Sequence, residues 1–314
     1  MAEAGCRGGA RGFGFAPAKI NLILHLRGRR ADGYHDLESL VSFAATGDNL
    51  AFLPGCREPL QLTGPMAPAL TDGGVGADNL VIRAQAALSM HLPDLPAGGF
   101  VLEKHLPVAS GMGGGSADAA AALRLLADSA GMRADHPALL HAAAAIGADV
   151  PVCLAGRSRV MYGTGTDLGT PLTLPAFPAL LANPGIAIAT PAVFRALALA
   201  PGEGFTPPDG ADGALPADPQ AWPDPDDRPG WIARLAAGRN DLAGPAEAIA
   251  PAIAVLRENL AACPGCLLAR MSGSGATVFA LFADDATRDA AAVRMRAQYP
   301  EYWIAATVIG GDAA

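Results

Sequence analysis

Lysine is almost missing from this chain. There are two, Lys19 and Lys104, and the other 20 of its 22 basic residues are arginine. Where positive charge alone is wanted, this sequence uses arginine. A lysine therefore marks a place where a compact ammonium differs from a planar guanidinium. Net positive charge is missing too. The formal net charge is −8 and the isoelectric point about 5.2, which argues against broad binding to nucleic acid or an anionic membrane. A phosphorylated ligand must then be met by a local site. The opening MAEAGCRGGARGFGF lacks the apolar segment of a secretory signal. The uncharged run Pro171–Phe194 is punctuated by Pro175, Pro178, Pro184 and Pro191, and reads as strand, turn and strand instead of a membrane span. The five cysteines are odd in number and mostly scattered, which points to reduced thiols and a cytoplasmic location. Cys263 and Cys266 form a lone CxxC with no further zinc ligands nearby, and read as a chance pair. No Gly-Lys pair occurs, so there is no GxxxxGK[ST] phosphate loop. GxGxxG fails as well, because Ser116 stands where the third glycine belongs. No internal repeat is visible.

What is present is a chain long enough for two domains and a large core, with 51% hydrophobic residues supplied largely by alanine. The coarse reading begins with a strand over Gly14–Leu26, interrupted at 16–19. Separate strands follow over Leu37–Phe43 and Asn49–Leu53, then a Gly/Pro-rich loop with a short strand over 54–78. Asn79–His91 reads as a helix capped by Asp78 or Asn79, and Gly99–Lys104 as a strand. Helices follow over Ser116–Ala130, ended by Gly131, and over 136–146. Arg159–Tyr162 is a strand, and a boundary near 165–178 divides the chain into domains 1–170 and 171–314. Ala179–Ala189 reads as a strand pair, with a helix from Ala192. Residues 200–230, rich in Pro, Gly and Asp, read as a long loop. Asn240–Asn259 is helical with a break near Pro251. Strands Leu267–Met271 and Thr277–Phe282, a helix over 285–298 and a strand over 303–309 close the chain. The order suggests α+β or α/β layers. Residues 1–12 are Gly/Arg-rich and expected to be frayed.

The chain is organised around Leu106–Ala121, LPVASGMGGGSADAAA, in which glycines lead directly into an alanine-rich helix. Glycines let backbone N–H groups approach a ligand, and a helix N-terminus adds partial positive charge, so this is a candidate phosphate cradle. An ordinary tight turn capped by Ser116 would read the same way. Asp149, in Gly147-Ala148-Asp149-Val150-Pro151, reads on its own as a turn aspartate bonded to nearby N–H groups.

Three motifs then carry a resemblance. Pro107-x-x-x-Gly111-Met112-Gly113-Gly114-Gly115-Ser116-Ala117 resembles the ATP-binding motif of the GHMP kinases. Ala16-Pro17-Ala18-Lys19-Ile20-Asn21-Leu22 and Met271-Ser272-Gly273-Ser274-Gly275-Ala276-Thr277-Val278-Phe279 resemble that family's N-terminal and C-terminal signatures, in family order. PAKINLILHLRGRRADGYHDLESL, DNLVIRAQ, GADVPVCLAG and NPGIAIATPAVF are similar to the branch of the family that acts on a cytidine diphosphate-linked methylerythritol in non-mevalonate isoprenoid biosynthesis.

The resemblance implies an α+β, two-domain GHMP kinase fold, with a ribosomal protein S5-like N-terminal domain and a ferredoxin-like C-terminal domain. It implies ATP as phosphoryl donor, with Mg2+ held mainly through ATP, and the 2-hydroxyl of 4-diphosphocytidyl-2-C-methyl-D-erythritol as acceptor. Asp149 would take the hydroxyl proton, and Lys19 would neutralise charge beside it. Lys104, Pro107, Val108, Ala109, Ser110, Gly111, Met112, Gly113, Gly114, Gly115, Ser116 and Ala117 would meet ATP. Asn21, Tyr34, His35, Thr190, Phe194, Ser272, Gly273 and Ser274 would meet the acceptor, with Tyr34, His35 and Phe194 at the cytosine. Without the resemblance, Tyr34 and His35 are surface-loop residues, Phe194 a core-facing aromatic, Lys104 a strand-end charge and Ser272–Gly275 a turn. The expected partner is a small molecule, with no nucleic acid and no membrane, and the chain is a monomer or a homodimer. Two other readings stand beside this one: another GHMP small-molecule kinase of the mevalonate or homoserine type, and a non-catalytic nucleotide-binding protein.

Overall fold

The computed structural model describes residues 12–71, 78–207, 210 and 213–311. Residues 1–11, expected to be frayed, lie outside the described residues, as do parts of the 54–78 and 200–230 loops. The described residues form two compact units: one holds those up to Ala18, within Gly47–Val108 and within Gly113–Gly156, the other those of Lys19–Thr46, Ala109–Met112 and from Arg157 on. The chain passes between them within strands β1 (Phe13–Arg29) and β2 (His35–Pro54).

Both strands run through positions that the sequence marks as breaks. Pro17 does not interrupt β1, because among the described strands β1 pairs only with β2 and a residue without an N–H is tolerated on such a strand. Thr46-Gly47-Asp48 does not divide β2, because Asp48 is fully buried and its carboxylate is used internally.

In the first unit β3 (Leu60–Thr63) lies parallel to β4 (Gly98–Glu103), and β4 lies antiparallel to β2 from Asn49↔Glu103 to Pro54↔Gly98. Phe52 and Phe100 face each other in that register with ring centroids 5.1 Å apart. A short turn of helix, α1 (Pro68–Thr71), precedes α2 (Leu80–Ser89), which Asn79 caps through a 2.9 Å bond from Val81 N–H. Helix α3 (Gly114–Ser129) buries ten of its residues, mostly alanines, so neighbours pack on most sides of it. Helix α4 (Pro137–Ile146) packs on α2, and α5 (Val150–Ala155) packs on α3.

In the second unit β5 (Arg159–Gly163) pairs with the start of β2 and forms a hairpin with β6 (Asp167–Leu168). Strand β7 (Phe177–Asn183) sits between β10 (Trp303–Ile309) and β9 (Val278–Phe282), and β9 pairs onward with β8 (Cys266–Met271), all antiparallel. The strand pair expected within Ala179–Ala189 is therefore one strand, because both edges of β7 are already taken. Helices α6 (Thr190–Ala196), α7 (Arg228–Ala237), α8 (Ala243–Ile249), α9 (Ala252–Ala261) and α10 (Asp285–Gln298) complete this unit. Leu180, Val278 and Phe282 share a core with Ile253, Leu256, Leu260 and Met295. Much of the expected 200–230 loop is held in place. Leu215 N–H donates to Glu38, and Trp222 stacks on Trp231 of α7 with centroids 5.6 Å apart.

Among the described residues no helix is long and apolar enough to cross a membrane. Cys153, Cys263 and Cys266 are free thiols, and burial pushes the Cys266 thiol up to about 11. Cys56 is disulfide-bonded, against the expectation of reduced thiols throughout.

His25 on β1 is buried, and its Nε2 accepts the Arg239 N–H at 3.2 Å. Burial, followed by the Arg239 and Arg27 charges, lowers its pKa from 6.5 to about 4. The unfolded chain takes up this proton as pH falls below 6.5 and the folded chain does not, so this contribution to stability is complete above pH 6.5 and lost towards pH 4. Between pH 6.5 and 5 the loss from this group is about 2 kcal/mol. In thermal melts at both pH values, His25→Gln is expected to lose distinctly less stability on acidification than the parent. Equal losses would show that His25 does not carry this dependence.

Candidate active site

The middle of the glycine-rich stretch belongs to the second unit, where its carbonyls are held one after another. Ser110 C=O accepts from Thr277 N–H at 3.1 Å, Gly111 C=O from the Ser272 hydroxyl at 3.0 Å, and Met112 C=O from Lys19 N–H at 2.9 Å. Each peptide plane is rigid and trans, so a carbonyl fixed towards protein turns the next N–H away from it. The amides of Gly111, Met112 and Gly113 are thereby oriented without any side chain of the stretch itself. Gly111 has φ 77° and a Cβ there would lie 2.5 Å from Ser272 C=O, so the neighbouring turn demands this glycine. Ala109 shares the left-handed conformation at φ 51°, and the Met112 side chain is fully buried.

The outgoing end belongs to the first unit. Helix α3 starts at Gly114 behind Gly113, which has φ 61° and provides no side-chain cap, so the helix begins two residues before Ser116. Ser116 is consequently not the cap; it lies in the first turn, half-buried, next to exposed Gly115 and buried Ala117. The uncapped first-turn N–H groups make this end of a 16-residue helix suited to an anion. On the incoming side Pro107 and Val108 are partly buried.

The ammonium of Lys104 lies in the interior of the first unit, 2.5 Å from Asp48 Oδ2 and 2.7 Å from Asp118 Oδ2, between two carboxylates. Burial pushes the Asp118 carboxyl up, and the Asp118 Oδ1 atom has no partner.

Ser272 is completely buried, and its hydroxyl accepts from Asn21 N–H at 3.1 Å while donating to Gly111 C=O. Ser272 thereby braces β1 against the glycine-rich stretch. Asn240 holds the same turn by donating to Met271 C=O at 2.8 Å and Gly273 C=O at 2.9 Å. Ser274 and Thr190 share a hydroxyl–hydroxyl bond of 2.8 Å.

Lys19 and Asn21 stand two residues apart on β1, each with 4% exposure. Asn21 donates from Nδ2 to Ser39 Oγ at 2.7 Å, and its Oδ1 is buried without a partner. Tyr34 is exposed at 67%, on a turn closed by Asp32 Oδ1 accepting Tyr34 N–H. His35 and half-buried Phe194 lie with ring centroids 4.7 Å apart and planes inclined at 34°. Burial, then the Arg29 charge, lowers the pKa of His35, which keeps the imidazole neutral with one donor and one acceptor nitrogen. Its Nε2 is buried without a partner.

Asp149 is the residue from which the short helix α5 starts. The other end of α5 is held by Arg124 of α3, which donates to Cys153 C=O at 2.9 Å and to Leu154 C=O. Asp48, Asp118 and Asn240 were not picked out from sequence. For Asp118 a signal existed, as the one charged residue in the run Ala117–Leu123. Asp48 and Asn240 have none, since their partners are remote along the chain.

Comparison with known proteins matches residues 79–157 to the GHMP kinases N terminal domain and residues 227–301 to the GHMP kinases C terminal domain. The 4-diphosphocytidyl-2-C-methyl-D-erythritol kinase of Rhodopseudomonas palustris (strain BisA53) is 49% identical over 290 residues, covering 92% of this chain and 94% of the relative. The protein of the same name from Methylorubrum extorquens (strain PA1) is 50% identical over 299 residues, covering 93% and 97%. A crystal structure of 4-(cytidine 5'-diphospho)-2C-methyl-D-erythritol kinase is 33% identical with a TM-score of 0.72, covering 96% of this chain and all of that one. Homoserine kinase from Cytophaga hutchinsonii, at 16% identity and TM-score 0.65, shares the fold. The mixed α+β units, the motifs and near-full-length identity to these relatives agree, and the chain belongs to the 4-diphosphocytidyl-2-C-methyl-D-erythritol kinase family of the GHMP kinases.

Proposed function

We propose that this chain transfers the γ-phosphoryl group of ATP directly to the 2-hydroxyl of 4-diphosphocytidyl-2-C-methyl-D-erythritol, giving the 2-phosphate and ADP. The observation that carries the choice of acceptor is the pairing of His35 with Phe194, in which a neutral imidazole keeps a buried, unpartnered Nε2 beside an aromatic face. A planar base with hydrogen-bonding edges satisfies both features, with exposed Tyr34 available to stack on it. Mevalonate or homoserine carries no base and would leave this arrangement idle.

Phosphoryl transfer needs little covalent help from protein; it needs positioning and charge around the transferring group. Asp149 accepts the proton of the attacking hydroxyl. Lys19 favours the developing alkoxide and neutralises phosphoryl charge. Asn21 Oδ1 receives a hydroxyl of the acceptor. The amides around Gly111–Gly115 and the start of α3 receive the β- and γ-phosphates. Among the described residues no cluster of three or more His, Cys, Asp or Glu offers a cage for a metal. A magnesium ion would be held through the nucleotide's phosphates and water, with the Ser116 hydroxyl as the chain's contribution. When bound, the ion supplies charge neutralisation on the phosphates.

Asp149→Asn and Lys19→Ala are each expected to retain ATP binding and to lower kcat by about 100-fold or more. Near-normal turnover in either purified variant removes that residue from the mechanism. His35→Ala is expected to raise the acceptor KM by about tenfold with little change in the KM for ATP. An unchanged acceptor KM would contradict the cytosine assignment.

A further inference from the structure

The first unit contains a buried charge cluster to which the proposed mechanism gives no role. The side chains of Lys104, Asp48 and Asp118 expose 3%, 0% and 4% of their surface. Asp48 spends one oxygen on the Lys104 ammonium and the other on the N–H groups of His105 at 2.6 Å and Leu106 at 2.8 Å. Those are the two residues by which the chain leaves Lys104 for Pro107. Asp118 lies one turn into α3, the helix by which the chain leaves the glycines. A single ammonium therefore joins the incoming stem of the glycine-rich stretch to its outgoing stem.

Two further observations fit a precise spacing requirement. A Cβ on Gly114 would lie 3.2 Å from Lys104 Nζ and 3.8 Å from Asp48 Oδ2, so a glycine at this position makes room for the ammonium. Lysine is also the rare cation in this chain, and a compact point charge fits between two carboxylates where a planar fork would not. Burying three ions costs hydration, and apolar side chains of similar volume commonly fill such a space at no loss of stability. Packing alone gives no reason to keep them.

We propose that Lys104, Asp48 and Asp118 are positioning residues for ATP: they set the distance between the two stems, and with it the spacing of the amides that receive the phosphates, without touching the nucleotide. This rests on the glycine-rich stretch being the ATP loop.

The test measures ATP affinity by calorimetry without acceptor, alongside steady-state KM values for ATP and acceptor. Asp118→Ala is expected to weaken ATP binding about tenfold and leave the acceptor KM within about twofold. Asp118→Asn, whose amide oxygen still accepts from the ammonium, should recover to within about threefold of the parent. Gly114→Ala removes no charge but displaces the ammonium, and should also cost about tenfold in ATP affinity. It keeps the comparison available if Asp118→Ala does not fold. If both changes act through the same ammonium, the double variant should be no more than about twofold weaker than either single one. Parental ATP affinity in a folded Asp118→Ala or Gly114→Ala variant overturns the proposal. So do parallel rises in both KM values, failure of Asp118→Asn to recover, and fully additive losses in the double variant. A parent protein that binds ATP but does not phosphorylate the acceptor contradicts the proposed function, while the calorimetric comparison still decides this inference.

Discussion

A backbone that presents its amides to phosphate cannot be held in place by its own side chains, because side chains would occupy the space the ligand needs. The glycine-rich stretch therefore depends on groups borrowed from elsewhere. In the second unit its three carbonyls are tied to Thr277 N–H, the Ser272 hydroxyl and Lys19 N–H. In the first unit its two stems meet at the Lys104 ammonium through Asp48 and Asp118. Net hydrogen-bond energies of about 1 kcal/mol each make such a set modest in stability, but removing one partner leaves a buried group unsatisfied at greater cost. The arrangement therefore favours one backbone geometry over its alternatives.

The same economy appears on the acceptor side. Asn240 holds the turn that contains Ser272, and Ser272 holds both β1 at Asn21 and the glycine-rich stretch at Gly111. A single hydroxyl thus links a strand bearing Lys19 and Asn21 to the backbone of the glycine-rich stretch. Asn21 Oδ1 and His35 Nε2 are two of the buried polar atoms without partners among the described residues, and the proposed function gives each of them a ligand. Buried polar groups are ordinarily paired, which is why the proposed function assigns substrate groups to these two atoms.

Local patterns made part of this legible in advance. Asn79 before an apolar helix, the helix over Asp285–Gln298 and the strand over Trp303–Ile309 are present at or near the expected bounds, because each is specified by its own cap, periodicity and turn residues. Long-range pairing overrode local signals elsewhere. Pro17 and Thr46-Gly47-Asp48 look like breaks but sit inside continuous strands, and Pro229-Gly230 looks like loop but opens α7, whose cap is Asp227. The motifs pointed to the right family, while contacts around them are made by residues remote along the chain. Lys104 finds its carboxylates 56 and 14 positions away, and Asn21 meets the Ser272 hydroxyl 251 positions away. Nothing along the chain announces such meetings.

The central claim is that an ATP-dependent transfer here is directed at a hydroxyl on a cytidine diphosphate-linked alcohol. Phosphorus NMR of the products formed with ATP and, in turn, 4-diphosphocytidyl-2-C-methyl-D-erythritol, mevalonate and homoserine tests it most directly. The account predicts a new phosphomonoester on the cytidine-bearing compound alone, formed with stoichiometric ADP. Phosphorylation of mevalonate or homoserine, or no phosphomonoester on the cytidine-bearing compound, would contradict it.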